Sequence, residues 1–191
     1  LTIIVTAAPL PARVVISQVY GGGGNSGSTY KNDFIELFNA GGTAQDLTGW
    51  AVQYTSATGT TWTNRTDLSG SIPAGGYYLI KEAAGGAGTV DLPTPDATGT
   101  ITMSAGAGKI ALTNTTTFLS GSCPTGGAIQ DFVGYGTTAD CYEGSGPAPA
   151  PNNATSDSRN SLGCADSGDN ASDFTVGAPN PRNSASPQHS C

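Results

Sequence analysis

Apolar and polar positions alternate along this chain in short runs and never settle into a helical stripe. The clearest run is Asp33-Phe34-Ile35-Glu36-Leu37-Phe38-Asn39, rich in aromatic and branched residues. Its alternation puts Ile35 and Leu37 on one face and Phe34, Glu36 and Phe38 on the other. Asn39, Gly41 and Gly42 end it as turn formers. A second strand is predicted from Trp50, where Trp50, Val52 and Tyr54 alternate with Ala51 and Gln53. A Trp at the head of a central strand fills the space between two sheets, so Ile35, Leu37, Trp50 and Val52 are the predicted core. Further strands are predicted over residues 13–20, 76–81, 100–104, 109–114 and 129–134. A closing extended segment is predicted at 173–176. Residues 55–66 read as a polar hairpin with one side exposed, and 144–170 as a Pro-, Ser- and Asn-rich surface excursion without regular structure. No stretch keeps apolar residues three and four apart, so the expected class is all-β, a sandwich with long Gly- and Pro-rich loops.

The first residues differ from the rest. Leu1-Thr2-Ile3-Ile4-Val5-Thr6 is uncharged in its side chains and strongly β-prone, and Pro9 and Pro11 close the segment. We divide the chain into an apolar arm, 1–12, and a sandwich, 13–191. A free apolar strand is an aggregation liability, so Leu1 to Thr6 is expected to pair with something. It docks either on its own sheet edge or on the sheet of a neighbouring subunit by strand addition. Repeated head to tail without closure, the second arrangement builds a filament.

A family resemblance runs through the same residues. Val15-Ile16-Ser17-Gln18-Val19-Tyr20 with the following Gly-rich loop, Asn32 to Asn39, and Asp46-Leu47-Thr48-Gly49-Trp50 resemble the lamin-tail domain family. The likeness continues through 72–80, 95–99, 108–112 and 131–136, and returns at Asp173-Phe174 and at Pro179 to Ser184. It is closer to the secreted microbial branch than to nuclear lamins. It implies an immunoglobulin-like β-sandwich. Members of that branch occur as accessory modules of secreted hydrolases, so the resemblance implies a module and no activity of its own.

Charge narrows the function classes. The net charge is −7, and the seven basic residues are scattered, against the clustered cations that nucleic acid or an anionic membrane requires. No apolar run approaches the ~20 residues of a spanning helix. The start at Leu1 reads as a mature N-terminus after signal removal. Four cysteines fit an oxidising compartment, and local loop closure favours Cys123–Cys141 and Cys164–Cys191 among the three pairings. Sequons at Asn64, Asn114, Asn153 and Asn170 are candidate glycan acceptors. Together these features place the chain outside the cell or on its surface.

Candidate chemistry is sparse. The one histidine, His189, stands near the end, so histidine-dependent hydrolysis and metal sites are not expected. Gly22, Gly24 and Gly27 match a dinucleotide-loop spacing, but strand residues follow instead of a helix. Gly106-Ala107-Gly108-Lys109 looks like a phosphate loop but lacks its leading Gly and its Ser or Thr. Asp33, Glu36 and Asp96 are oxygen donors of the kind calcium takes, without a calcium-loop spacing. Glu36 between two core residues is expected to be a structural, hydrogen-bonded carboxylate. We therefore expect no catalytic residue, cofactor or metal. The chain reads as an extracellular structural protein that self-associates through its arm into a filament or surface layer. The alternative is a secreted module binding a glycan or protein through loop aromatics Tyr30, Trp62 and Tyr142.

Overall fold

The computed structural model describes residues 13–191. Ten of the twelve strands among the described residues form two main sheets facing each other. The larger has the order β12-β11-β1-β2-β7-β8, with β1 Val14–Tyr20, β2 Asn32–Asn39, β7 Tyr77–Ala84, β8 Ala97–Thr98, β11 Ser156–Arg159 and β12 Phe174–Gly177. The smaller has the order β10-β9-β4-β5, with β4 Ala51–Ser56, β5 Asn64–Asp67, β9 Gly108–Thr113 and β10 Ile129–Tyr135. A two-stranded ribbon joins β3 Gln45–Asp46 to β6 Ser71–Ile72. The chain is an immunoglobulin-like all-β sandwich, as its strand pattern implies.

The two faces of β2 sort as expected. Ile35 and Leu37 enter the core between the sheets with Val52, Tyr78, Ile80, Leu112 and Val133. Phe34 and Phe38 form separate clusters on the outer face, with Tyr20 and Leu79 and with Val15 and Tyr77. In β1 the register shifts between Ile16 and Gln18. That bulge lets Val14, Ile16 and Val19 all face the core although Ile16 and Val19 are three apart.

Three expectations are corrected. Trp50 does not open the strand: it precedes β4, after a turn with Gly49 at φ 81°, and is half-buried against the core rim. Residues 100–104 do not join a sheet. Ile101 and Met103 point inward, but apart from the Ala83 N–H donating to the Ile101 carbonyl at 3.0 Å, side-chain carboxylates stand in for the ladder. Glu82 accepts the Ile101 N–H at 2.9 Å and Asp33 accepts the Met103 N–H at 2.9 Å. The 144–170 segment is structured: β11 lies between β1 and β12, and Ser156, Asp157 and Arg159 are buried.

The C-terminal tail covers the outer face of the large sheet. Fully buried Glu36 holds it there, accepting from the Arg182 backbone N–H at 2.6 Å, the Arg182 guanidinium at 2.7 Å and the Ser17 hydroxyl at 2.6 Å. The guanidinium stacks 3.8 Å from the centre of the Tyr77 ring. Glu36 is thus a structural carboxylate with backbone and side-chain partners. Burial pushes its carboxyl upward, and Arg182 and Ser17 oppose that.

Candidate functional site

Sheet edges decide where another chain can pair. At β10 the outer edge is closed from within. Asn170, in the single-turn helix α1 (Asn170–Asp173), accepts the Gly134 N–H at 2.9 Å and donates to the Phe132 carbonyl at 3.1 Å. Ala148 donates to the Gly134 carbonyl at 2.8 Å. At the other end, β8 is only two residues long, and Asp96 beside it accepts from the Ser184 N–H of the tail. β12 and β5 differ. β12 pairs with β11 through Phe174, Thr175, Val176 and Gly177, and its opposite edge meets no backbone partner among the described residues; β5, at the far edge of the small sheet, pairs there with β4 alone. The arm that could pair there, Leu1, Thr2, Ile3, Ile4, Val5 and Thr6, lies outside the described residues.

A buried ionic cluster fixes β11 and β12 to the sandwich. The Arg159 side chain is fully buried and reaches Asp131 at 2.7 Å, Asp166 at 3.2 Å and Asp173 at 3.6 Å. It donates to the Ile16 carbonyl at 2.9 Å and lies over the Phe174 ring. Asp131 also accepts the Ile16 N–H at 2.6 Å, so it ties β10 to β1. Carboxylate oxygens of Asp131, Glu143 and Asp166 come within 4.8 Å of one another. A guanidinium already sits against two of them, which makes the group an ion-pair network. The calcium candidates are likewise engaged by protein donors. Asp33 accepts from Gly23 and Met103, Glu36 from Arg182 and Ser17, and Asp96 from Leu79 and Ser184.

The aromatic candidates separate. Trp62 is a correction: it is buried, donates its indole N–H to the Gly121 carbonyl at 3.0 Å and meets Phe132 edge-on. Tyr30 is half-buried against Tyr20 and Phe34. Tyr142 alone stays exposed, at 38%, beside a cleft of about 280 Å³ lined by Cys123, Pro124, Ile129, Phe132 and Glu143. His189 lines a second cleft, of about 470 Å³, with Arg13, Asn39 and Cys191. Lys109 of the phosphate-loop look-alike is buried, its ammonium donating to the Gly59 and Ser122 carbonyls and to Asp140.

Both disulfides are Cys123–Cys141 and Cys164–Cys191. The four sequons are not equivalent. Asn64 and Asn114 are exposed, Asn153 is half-buried, and Asn170 is fully buried, which removes it as a surface acceptor.

No helix among the described residues is long and apolar enough to cross a membrane. No curated protein sequence matches the chain. A solved structure described as a DUF4876 family protein from Bacteroides thetaiotaomicron is similar, with a TM-score of 0.60 over 93% of this chain and 74% of that one. Sequence identity is 11%, so that likeness extends to the fold alone. The family model for the Lamin Tail Domain matches residues 7–137, more than half of the sequence. The chain belongs to the lamin tail domain family.

Proposed function

We propose that this protein is a non-enzymatic extracellular structural module whose N-terminal arm adds as a strand to a neighbouring copy, giving a filament or surface layer. The observation that carries the reading is the outer edge of β12, which has no backbone partner among the described residues while Asn170 closes the edge of β10. The strand-prone segment Leu1 to Thr6 would serve as donor; as a strand it would present Leu1, Ile3 and Val5 on one face and Thr2, Ile4 and Thr6 on the other. Two disulfides and a β-sandwich fit an oxidising, extracellular setting. The buried carboxylates and Lys109 act as staples between segments, which supports a structural role over a catalytic one.

Light scattering and electron microscopy of the full chain and of a variant lacking residues 1–10 test this. The full chain assembles and the shortened one is a folded monomer. Equal assembly of both ends the proposal. A second reading, a secreted module that binds a glycan or protein, is favoured by exposed Tyr142 beside its cleft. Glycan-array binding lost on Tyr142→Ala would favour it, and an array without signal would remove its carbohydrate form.

A further inference from the structure

A sequon becomes a usable acceptor in the folded chain only if its Asn amide and its third-position hydroxyl are both free. Three of the four fail. Asn170 is fully buried, and its amide group donates to the Phe132 carbonyl and to Glu143 while its oxygen accepts the Gly134 and Glu143 N–H groups. Asn153 donates its amide to the Ser26 carbonyl at 3.0 Å and accepts from Asn25. Asn64 is exposed, but its partner Thr66 is buried and donates its hydroxyl to Glu82 at 2.6 Å. That bond belongs to the same network that pins residues 99–103, so releasing Thr66 disturbs the core.

Asn114-Thr115-Thr116 passes on both counts. Asn114 is the first residue after β9, its backbone N–H anchored to the Ala128 carbonyl at 2.9 Å. Its side chain is exposed and has no hydrogen-bond partner among the described residues, and the same holds for the Thr116 hydroxyl. The Thr116 carbonyl accepts from Arg65, which fixes the loop backbone without using the hydroxyl. Gln53 and Thr113 donate to the Thr117 and Thr115 carbonyls, so the loop backbone is held to the small sheet while the Asn114 amide and the Thr116 hydroxyl stay free.

We infer that Asn114 is the site at which the folded protein takes an N-linked glycan. The donor class is an oligosaccharide on a lipid diphosphate, delivered by a transferase that reads Asn-x-Ser/Thr. The bond formed joins the Asn114 Nδ2 to the anomeric carbon of the first sugar. The bond broken is that carbon's link to the phosphate oxygen. The lipid diphosphate leaves with the electron pair, and one amide proton passes to solvent. No oxidation or reduction is involved. This site is independent of the strand-addition reading: it sits after β9 in the small sheet, and β12 belongs to the large one.

The test uses the folded, disulfide-bonded full chain, incubated with a purified oligosaccharyltransferase and lipid-diphosphate oligosaccharide, with an acceptor peptide in the same tube. Peptide mapping by mass spectrometry reads each site. Asn114 carries glycan at an occupancy about tenfold above each of the other three, because those must first open locally. Asn114→Gln removes that glycan and leaves the thermal midpoint unchanged. An unmodified Asn114 beside a glycosylated acceptor peptide overturns the inference, as does equal occupancy at Asn64, Asn153 or Asn170.

Discussion

Asp157 provides the sharpest test of the packing. Its side chain is inaccessible to solvent in the middle of β11, and neither carboxylate oxygen has a hydrogen-bond partner among the described residues. Burial pushes its carboxyl from an ordinary 3.8 up to about 8. In the folded state it therefore stays protonated where the unfolded chain is ionised. Between pH 4 and 8 the unfolded state binds fewer protons, so stability falls as pH rises and levels off above about 8. At about 1.36 kcal/mol per pH unit, this group alone removes about 4 kcal/mol between pH 5 and 9. Asp157→Asn cannot ionise, so the variant gains about 4 kcal/mol relative to the wild type over that interval. Its fixed offset from an unpaired amide is the same at every pH. Urea unfolding at both pH values, followed by the fluorescence of Trp50 and Trp62, reads the difference. With a slope of about 2 kcal/mol per molar urea, the two midpoints move apart by about 2 M. Asp33 and Glu82, both raised to about 7 by burial, titrate in both proteins and drop out of the comparison. Parallel pH profiles for the two proteins would refute the assignment of Asp157 as a buried neutral acid.

Other staples give further outcomes. Arg159→Met leaves Asp131 buried with only the Ile16 and Phe132 N–H groups as donors and is expected to cost about 3–5 kcal/mol in chemical denaturation, while Arg159→Met with Asp131→Asn recovers part of it. Arg182→Ala strips Glu36 of its guanidinium, and faster hydrogen exchange should then appear across residues 179–186 before the sandwich itself loosens. Replacing Cys164 and Cys191 by Ser opens a bridge of sequence separation 27 and lowers stability by about 3 kcal/mol, read as a drop in thermal midpoint with Cys123–Cys141 intact. Gly163→Ala is expected to destabilise by more than about 1 kcal/mol, because φ is 110° there and the added Cβ would meet Phe38 at 2.6 Å.

What the sequence reveals depends on which physical force makes each element. β2 and β7 are legible because their apolar residues alternate and fill both faces, the core on one side and the outer-face clusters on the other. The disulfides are legible because each closes a local loop. β11 is not, since Ser156-Asp157-Ser158-Arg159 carries no apolar signal at all. It is a strand because Arg159 finds Asp131, Asp166 and Asp173, acids from three separate places in the chain. The converse holds at 100–104. The alternation there is real, with Ile101 and Met103 buried and Thr102 and Ser104 exposed, but Asp33 and Glu82 occupy the ladder positions.

Trp62 and Asn170 fail for one shared reason. Each sits in a polar neighbourhood that reads as surface, and each is buried by a segment far away in the chain. For Trp62 that segment is the loop through Gly121, and for Asn170 it is the edge of β10. A polar residue near a sheet edge is therefore ambiguous until its partner is known. The same ambiguity separates Asn170 from Asn114. Both match one three-residue pattern, yet one amide closes β10 and the other has nothing to close. Asn170 seals the edge of β10 in the small sheet while β12, in the large one, has no backbone partner among the described residues, and the strand-addition proposal rests on that contrast.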